Sequence, residues 1–143
     1  MRRDLFLFCG LLVFVACKDS TKTVEPVATE DLEMYKASEM TLLMKEMYIS
    51  NELLKEKIVN NDSLGNFNAT FLNIHNAVLT DRFERNPDFE AKAKDFISNQ
   101  EAIFNVAAEE RGAQFNVTVN SCIACHENTC TGPIPRIKKL LIK

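Results

Sequence analysis

A chain of 143 residues with four glycines and four prolines holds too few turn formers for an all-β domain of its size. Its 46% hydrophobic content and net charge of -3 exclude a disordered chain and, by bulk charge, a nucleic-acid binder. Five cysteines are an odd number, so they cannot all pair within one chain.

The chain opens with Arg2 and Arg3, followed over residues 5–16 by a run that is apolar apart from Cys9 and Gly10. About a dozen residues is too short for a membrane-spanning helix and suits a signal-peptide core. The run stops at Phe14-Val15-Ala16-Cys17, a small residue directly before a cysteine. This resembles the lipobox of bacterial lipoproteins, with Phe14 where that family usually has leucine. The resemblance implies a signal peptide over residues 1–16, cleavage before Cys17, and lipidation of its sulfur. An ordinary secretory signal with a free Cys17 is the alternative. Both export the protein to the bacterial cell envelope, and the lipoprotein reading tethers it there, facing the periplasm or the cell surface. Residues 17–28 are polar and β-branched with one proline, which reads as a flexible tether. No second hydrophobic span follows, so membrane contact is expected through the lipid anchor alone.

Residues 29–131 divide at the sparse breakers into four runs with helical periodicity. In the first, Leu32, Tyr35, Met40, Leu43, Met44, Met47, Leu54 and Ile58 recur mostly at three- and four-residue steps. Glu30, Asp31 and Glu33 crowd its start, as a helix dipole prefers, and place that start near Thr29. Its length allows a break near Ser50-Asn51. The second run puts Phe67, Phe71, Ile74 and Val78 on one stripe. The third opens with the cap Asn86 and Pro87 and is expected to close at Arg111-Gly112. The fourth, from about Ala113, carries Phe115, Val119, Cys122 and His126 on one face. Four amphipathic helices with short connections predict an all-α fold, an antiparallel four-helix bundle.

The fourth run contains Cys122-Ile123-Ala124-Cys125-His126, a CxxCH sequence, the signature of covalent c-type haem attachment. Two thiols add to the two vinyl groups on one edge of the porphyrin, and the next imidazole reaches the iron beneath the same ring. On a helix, residues three and four apart share a face, as this chemistry needs. One haem c per chain is expected near the end of the last helix. A reducible CxxC pair, or a zinc site of Cys122, Cys125, His126 and Cys130, is the alternative use of these residues.

A four-helix bundle ending in CxxCH resembles the cytochrome c-prime family and its low-spin relatives. The likeness covers most of residues 31–126, with its specific part in the CxxCH motif and in Tyr35-Lys36-Ala37-Ser38-Glu39-Met40 of the first helix. It implies His126 as proximal iron ligand, Met40 at the distal position and Lys36 as the basic residue near a haem propionate. Antiparallel first and last helices agree broadly, since His126 lies ~8 Å from its expected helix end and Met40 ~16 Å from its expected helix start. Met44, one turn deeper, is the second distal candidate. His75 reads as an interfacial residue of the second helix. The resemblance also implies that bundles can pair as homodimers.

The likeness fails at two places. Cys130 stands where the family carries a basic residue after the haem histidine. Residues 132–143 form an apolar-basic tail with Ile134, Ile137, Leu140 and Leu141 among Arg136, Lys138, Lys139 and Lys143. Three roles for it stay open: folding over the haem edge, docking an acidic partner, or ending as a solvated terminus. Methionine opposite histidine favours electron transfer with a redox partner protein of the cell envelope. A five-coordinate, gas-binding protein for nitric oxide or carbon monoxide is the second expectation, and a haem-free interaction or metal-binding lipoprotein the third. Nothing resembles a nucleophile–base pair or an acid–base dyad, so no enzyme activity is expected.

Overall fold

The structure, a computed structural model, describes residues 36–143. The lipobox with Cys17, the tether, and Tyr35 lie outside the described residues. Those described are helical and turn-like without strands, which makes the fold all-α. Three long helices form its frame: α1 (Glu39–Val59), α2 (Pro87–Ala102) and α3 (Arg111–Thr129). A short α4 (Ile134–Ile137) runs into a 3-10 turn at Lys138–Leu140.

α1 begins later than its acidic approach suggests. Ser38 is the N-cap, its hydroxyl accepting from the Thr41 N–H at 3.2 Å and bonding Thr80 Oγ1 at 3.0 Å. The helix runs unbroken through Ser50-Asn51. It stops where Asn60 caps and Asn61 takes the left-handed conformation at φ 56°, which asparagine tolerates better than most residues.

The second expected helix is a correction. Only Ala69–His75 is helical, and it is a 3-10 helix. At three residues per turn Phe71 and Ile74 align and are both buried, while Leu72 and Val78 are exposed. Asn66, Asn68, Asn73 and Asn76 punctuate this stretch, and asparagine side chains compete with the α-helical backbone for hydrogen bonds. Asn68 does so directly, accepting from the Thr70 N–H at 3.1 Å. The third boundary also moves. α2 ends at Ala102, Ile103 turns fully into the core, and Arg111-Gly112 opens α3 instead of closing α2.

Side-chain pairing sets the directions. Met40 and Met47 of α1 share a cluster with Phe89 and Phe96 of α2. Further along, Leu54 and Ile103 share a second cluster. Between the two, Gln100 Nε2 donates to Asn51 Oδ1 at 3.0 Å, and Asn51 Nδ2 donates to the Met47 carbonyl at 2.9 Å. α1 and α2 therefore run in the same direction. α3 runs back against them, with Thr118 Oγ1 and Gln114 Nε2 both donating to the Asn99 carbonyl. Residues 60–86 make the return between the parallel pair. They are pinned by Met40 N–H to the Val78 carbonyl (3.0 Å) and by Arg85 to the carbonyls of Ala77 (2.7 Å) and Ile74 (3.3 Å).

The tail folds back on the helices, and its apolar side chains are not left in solvent. Ile137 and Leu140 are buried in the second cluster with Leu54, Phe115, Val119 and Ile123. Asn116 clamps the Ile142 backbone from both sides (2.8 and 2.9 Å), and Lys55 Nζ donates to the carbonyls of Lys139 and Leu141. Arg136 stacks 4.0 Å over the Tyr48 ring. Leu140→Ala should cost about 2–5 kcal/mol in urea unfolding, and Leu72→Ala less than about 0.5 kcal/mol, because Leu140 is buried and Leu72 is exposed.

Candidate functional site

The CxxCH residues occupy the last two turns of α3, the end that lies against the starts of α1 and α2. Cys122 is partly buried and packs against both hydrophobic clusters. Cys125, half-buried one turn on, feels the charges of Lys92 and Asp88 in the first turns of α2. Those two side chains pair with each other at 2.9 Å. The thiols of Cys122, Cys125 and Cys130 are unpaired.

His126 is held by the end of its own helix. Its Nδ1 lies 2.8 Å from the carbonyl oxygen of Cys130, the C-cap residue, whose N–H donates to the His126 carbonyl at 3.1 Å. A carbonyl only accepts, so Nδ1 carries the proton and the neutral ring keeps its Nε2 lone pair bare. That is the tautomer an imidazole needs to ligate a metal, and the hydrogen bond also fixes the ring orientation. The residues present therefore fit a covalently held haem: two thiols and one oriented imidazole on a single helical face.

Burial pushes the Cys122 thiol up from 9.0 to about 12, helped by the neighbouring Cys125 and opposed by a backbone hydrogen bond. Cys125 is also raised, first by burial, with Lys92 lowering and Asp88 raising it. Both are neutral thiols at neutral pH.

Met40 is buried in the cluster that Cys122 packs on, together with Leu43 and Met47, and Met44 lies against it partly buried. Because α1 starts at Glu39, Met40 is only ~1.5 Å into its helix, and His126 is ~4.5 Å from the end of α3 at Thr129. The two offsets differ by ~3 Å, less than the sequence spacing implied. Lys36 departs from expectation. It is exposed on non-helical chain ahead of Ser38, so its helical four-residue relation to Met40 is not formed. His75 is interfacial, its Nδ1 2.8 Å from Glu90, whose other carboxylate oxygen lies 3.3 Å from Arg85 Nε. The part played by the Cys130 backbone was not visible in the sequence, where only its thiol drew notice.

No protein-family model, curated protein or solved structure matches the chain.

The raised Cys122 thiol has a consequence for the haem-free protein. The folded state keeps the proton above pH 9.0, where the unfolded state gives it up, so stability is full below that pH and declines as pH rises from it toward about 12. Urea midpoints on either side of pH 9.0 should show this decline, and Cys122→Ser should lessen it. Iodoacetamide should label Cys125 well before Cys122 in the native fold.

Proposed function

We propose that the chain is a lipid-anchored, mono-haem c-type cytochrome of a bacterial cell envelope that carries electrons. The observation that carries this reading is the hydrogen bond from His126 Nδ1 to the Cys130 carbonyl, which makes Nε2 the lone-pair nitrogen of the neutral ring, on the helix that carries both CxxCH thiols. Haem c, when bound, supplies a one-electron couple at its iron. The protein's part is to hold and tune it. Cys122 and Cys125 fasten one edge of the ring, and the position of Cys122 between the two clusters ties that edge to the apolar core. The Cys130 carbonyl orients His126 as proximal ligand and increases its basicity. Met40, in the cluster that Cys122 packs on, is the distal ligand in this reading, and its thioether would raise the reduction potential. The bundle is read as a four-position one in which residues 60–86 take the place of the second helix. The likeness to cytochrome c-prime remains part of this proposal and rests on the same residues.

One observation favours the gas-binding alternative. Met40 is 7% exposed and its side chain is already packed as core within an apolar cluster. If it stays there, the position opposite His126 is open to a small molecule such as nitric oxide or carbon monoxide.

The visible spectrum of protein matured in cells that attach c-type haem decides between them. A sharp low-spin spectrum with a weak near-infrared Met–Fe band supports electron transfer, and Met40→Ala should convert it to high-spin. A high-spin spectrum that shifts with carbon monoxide supports gas binding. No Soret band despite competent maturation would sink both. His126→Ala should lose normal axial ligation while the thioether bonds persist. Cys130→Ala should leave the spectrum unchanged, because the group that orients His126 is a carbonyl the substitution retains.

A further inference from the structure

Charge is segregated along the described chain. Residues 131–143 contain four cations (Arg136, Lys138, Lys139 and Lys143) and no acidic side chain, whereas residues 36–130 hold nine cations and fourteen acidic side chains. A solvated basic terminus needs no fastening. This one is fastened by Asn116 and Lys55 to α3 and α1, so its exposed lysines project from an ordered backbone. Two grooves meet here and share Lys55 and Lys139. One is rimmed by Lys138, Lys139 and Lys143. The other is floored by Ile49, Leu53 and Val59 of α1, each more than half exposed, beside Leu140.

We propose that this continuous surface docks an acidic amphipathic helix of a partner protein. Acidic side chains of the partner meet the lysine lobe, and its apolar side lies along Ile49, Leu53 and Val59, the helix-in-groove mode of recognition. An anionic bilayer fits less well. The surface is concave, and Glu52 and Glu56 line the apolar groove, where they repel lipid phosphates but select a partner with a cation at that point. The surface is also remote from the CxxCH end: Lys55 lies fifteen residues beyond Met40 on α1, about 22 Å along the axis. Docking here leaves the end bearing Cys122, Cys125 and His126 uncovered. The proposal does not depend on haem being bound.

The test uses the full mature chain and a fluorescent helical peptide of roughly 16 residues, glutamate-rich in one half and with leucines at three- and four-residue steps. Vesicles of phosphatidylcholine with and without phosphatidylglycerol serve as the competing probe. The expected result is saturable peptide binding that weakens roughly tenfold with added salt and again in K138E/K139E. L53S should weaken it as well without shifting the unfolding midpoint, since Leu53 is exposed. Absence of saturable binding, or equal binding by both variants, overturns the proposal. Preferential binding to the phosphatidylglycerol vesicles overturns it in favour of a lipid occupant.

Discussion

A buried amide pair sets the frame of this molecule. Gln100 and Asn51 are 2% and 4% exposed, and one hydrogen bond joins them between two apolar clusters. Sliding α1 past α2 by one residue would break that bond and leave Gln100 Nε2 and Asn51 Oδ1 unpaired in hydrocarbon, at about 1–3 kcal/mol for each unsatisfied group. The pair therefore favours one register, and that register is parallel. Parallel neighbours cannot be joined by a tight turn, so residues 60–86 must travel the full length of α1 back to its start. Their irregularity follows from that task. The return has to place Val78 against the Met40 N–H and Thr80 against Ser38, and it meets these demands with asparagine-capped 3-10 turns.

With α1 and α2 fixed, α3 pairs against α2 through the Asn99 carbonyl and against α1 through the apolar contacts of Phe115 and Val119 with Leu54. Its C-terminal turns then meet the N-terminal turns of both other helices, and the CxxCH residues lie at that junction. The clusters on either side of the amide pair acquire different roles. The one nearer Cys125 contains Met40, Met47 and the aromatic side chains of the return and of α2. The other is completed by the tail, through Ile137 and Leu140. Cys122 touches both, so a group fastened to its sulfur is coupled to the whole core.

The helical class and the burial of Met40, Leu43, Met47, Phe115 and Val119 were legible because their periodicity is strong and uninterrupted. The CxxCH triplet was legible because its chemistry is bound to a fixed spacing. What failed was decided by competition between local and distant contacts. Glu30, Asp31 and Glu33 suit a helix start, yet Ser38 wins because its hydroxyl bonds Thr80, 42 residues away in sequence, as well as capping Thr41. Phe67, Phe71, Ile74 and Val78 fit an α-helical stripe, but a 3-10 helix buries Phe71 and Ile74 equally well. The asparagines around it favour a short, capped element over a long α-helix. The tail's apolar residues were visible, but their destination depends on Asn116 and Lys55, which carry no signal of their own as clamps.

Counting cysteines directs attention to sulfur, and for Cys130 that is the wrong atom. Its thiol is only partly buried and pairs with nothing among the described residues. Its carbonyl matters because α3 ends there: at φ -143° and ψ 87° the backbone leaves the helical path and turns the oxygen back toward His126 four residues earlier. Any residue able to adopt that extended conformation presents the same acceptor. The orienting group for the imidazole is thus supplied by the termination of a helix, a property of the Thr131-Gly132-Pro133 break that follows more than of position 130 itself.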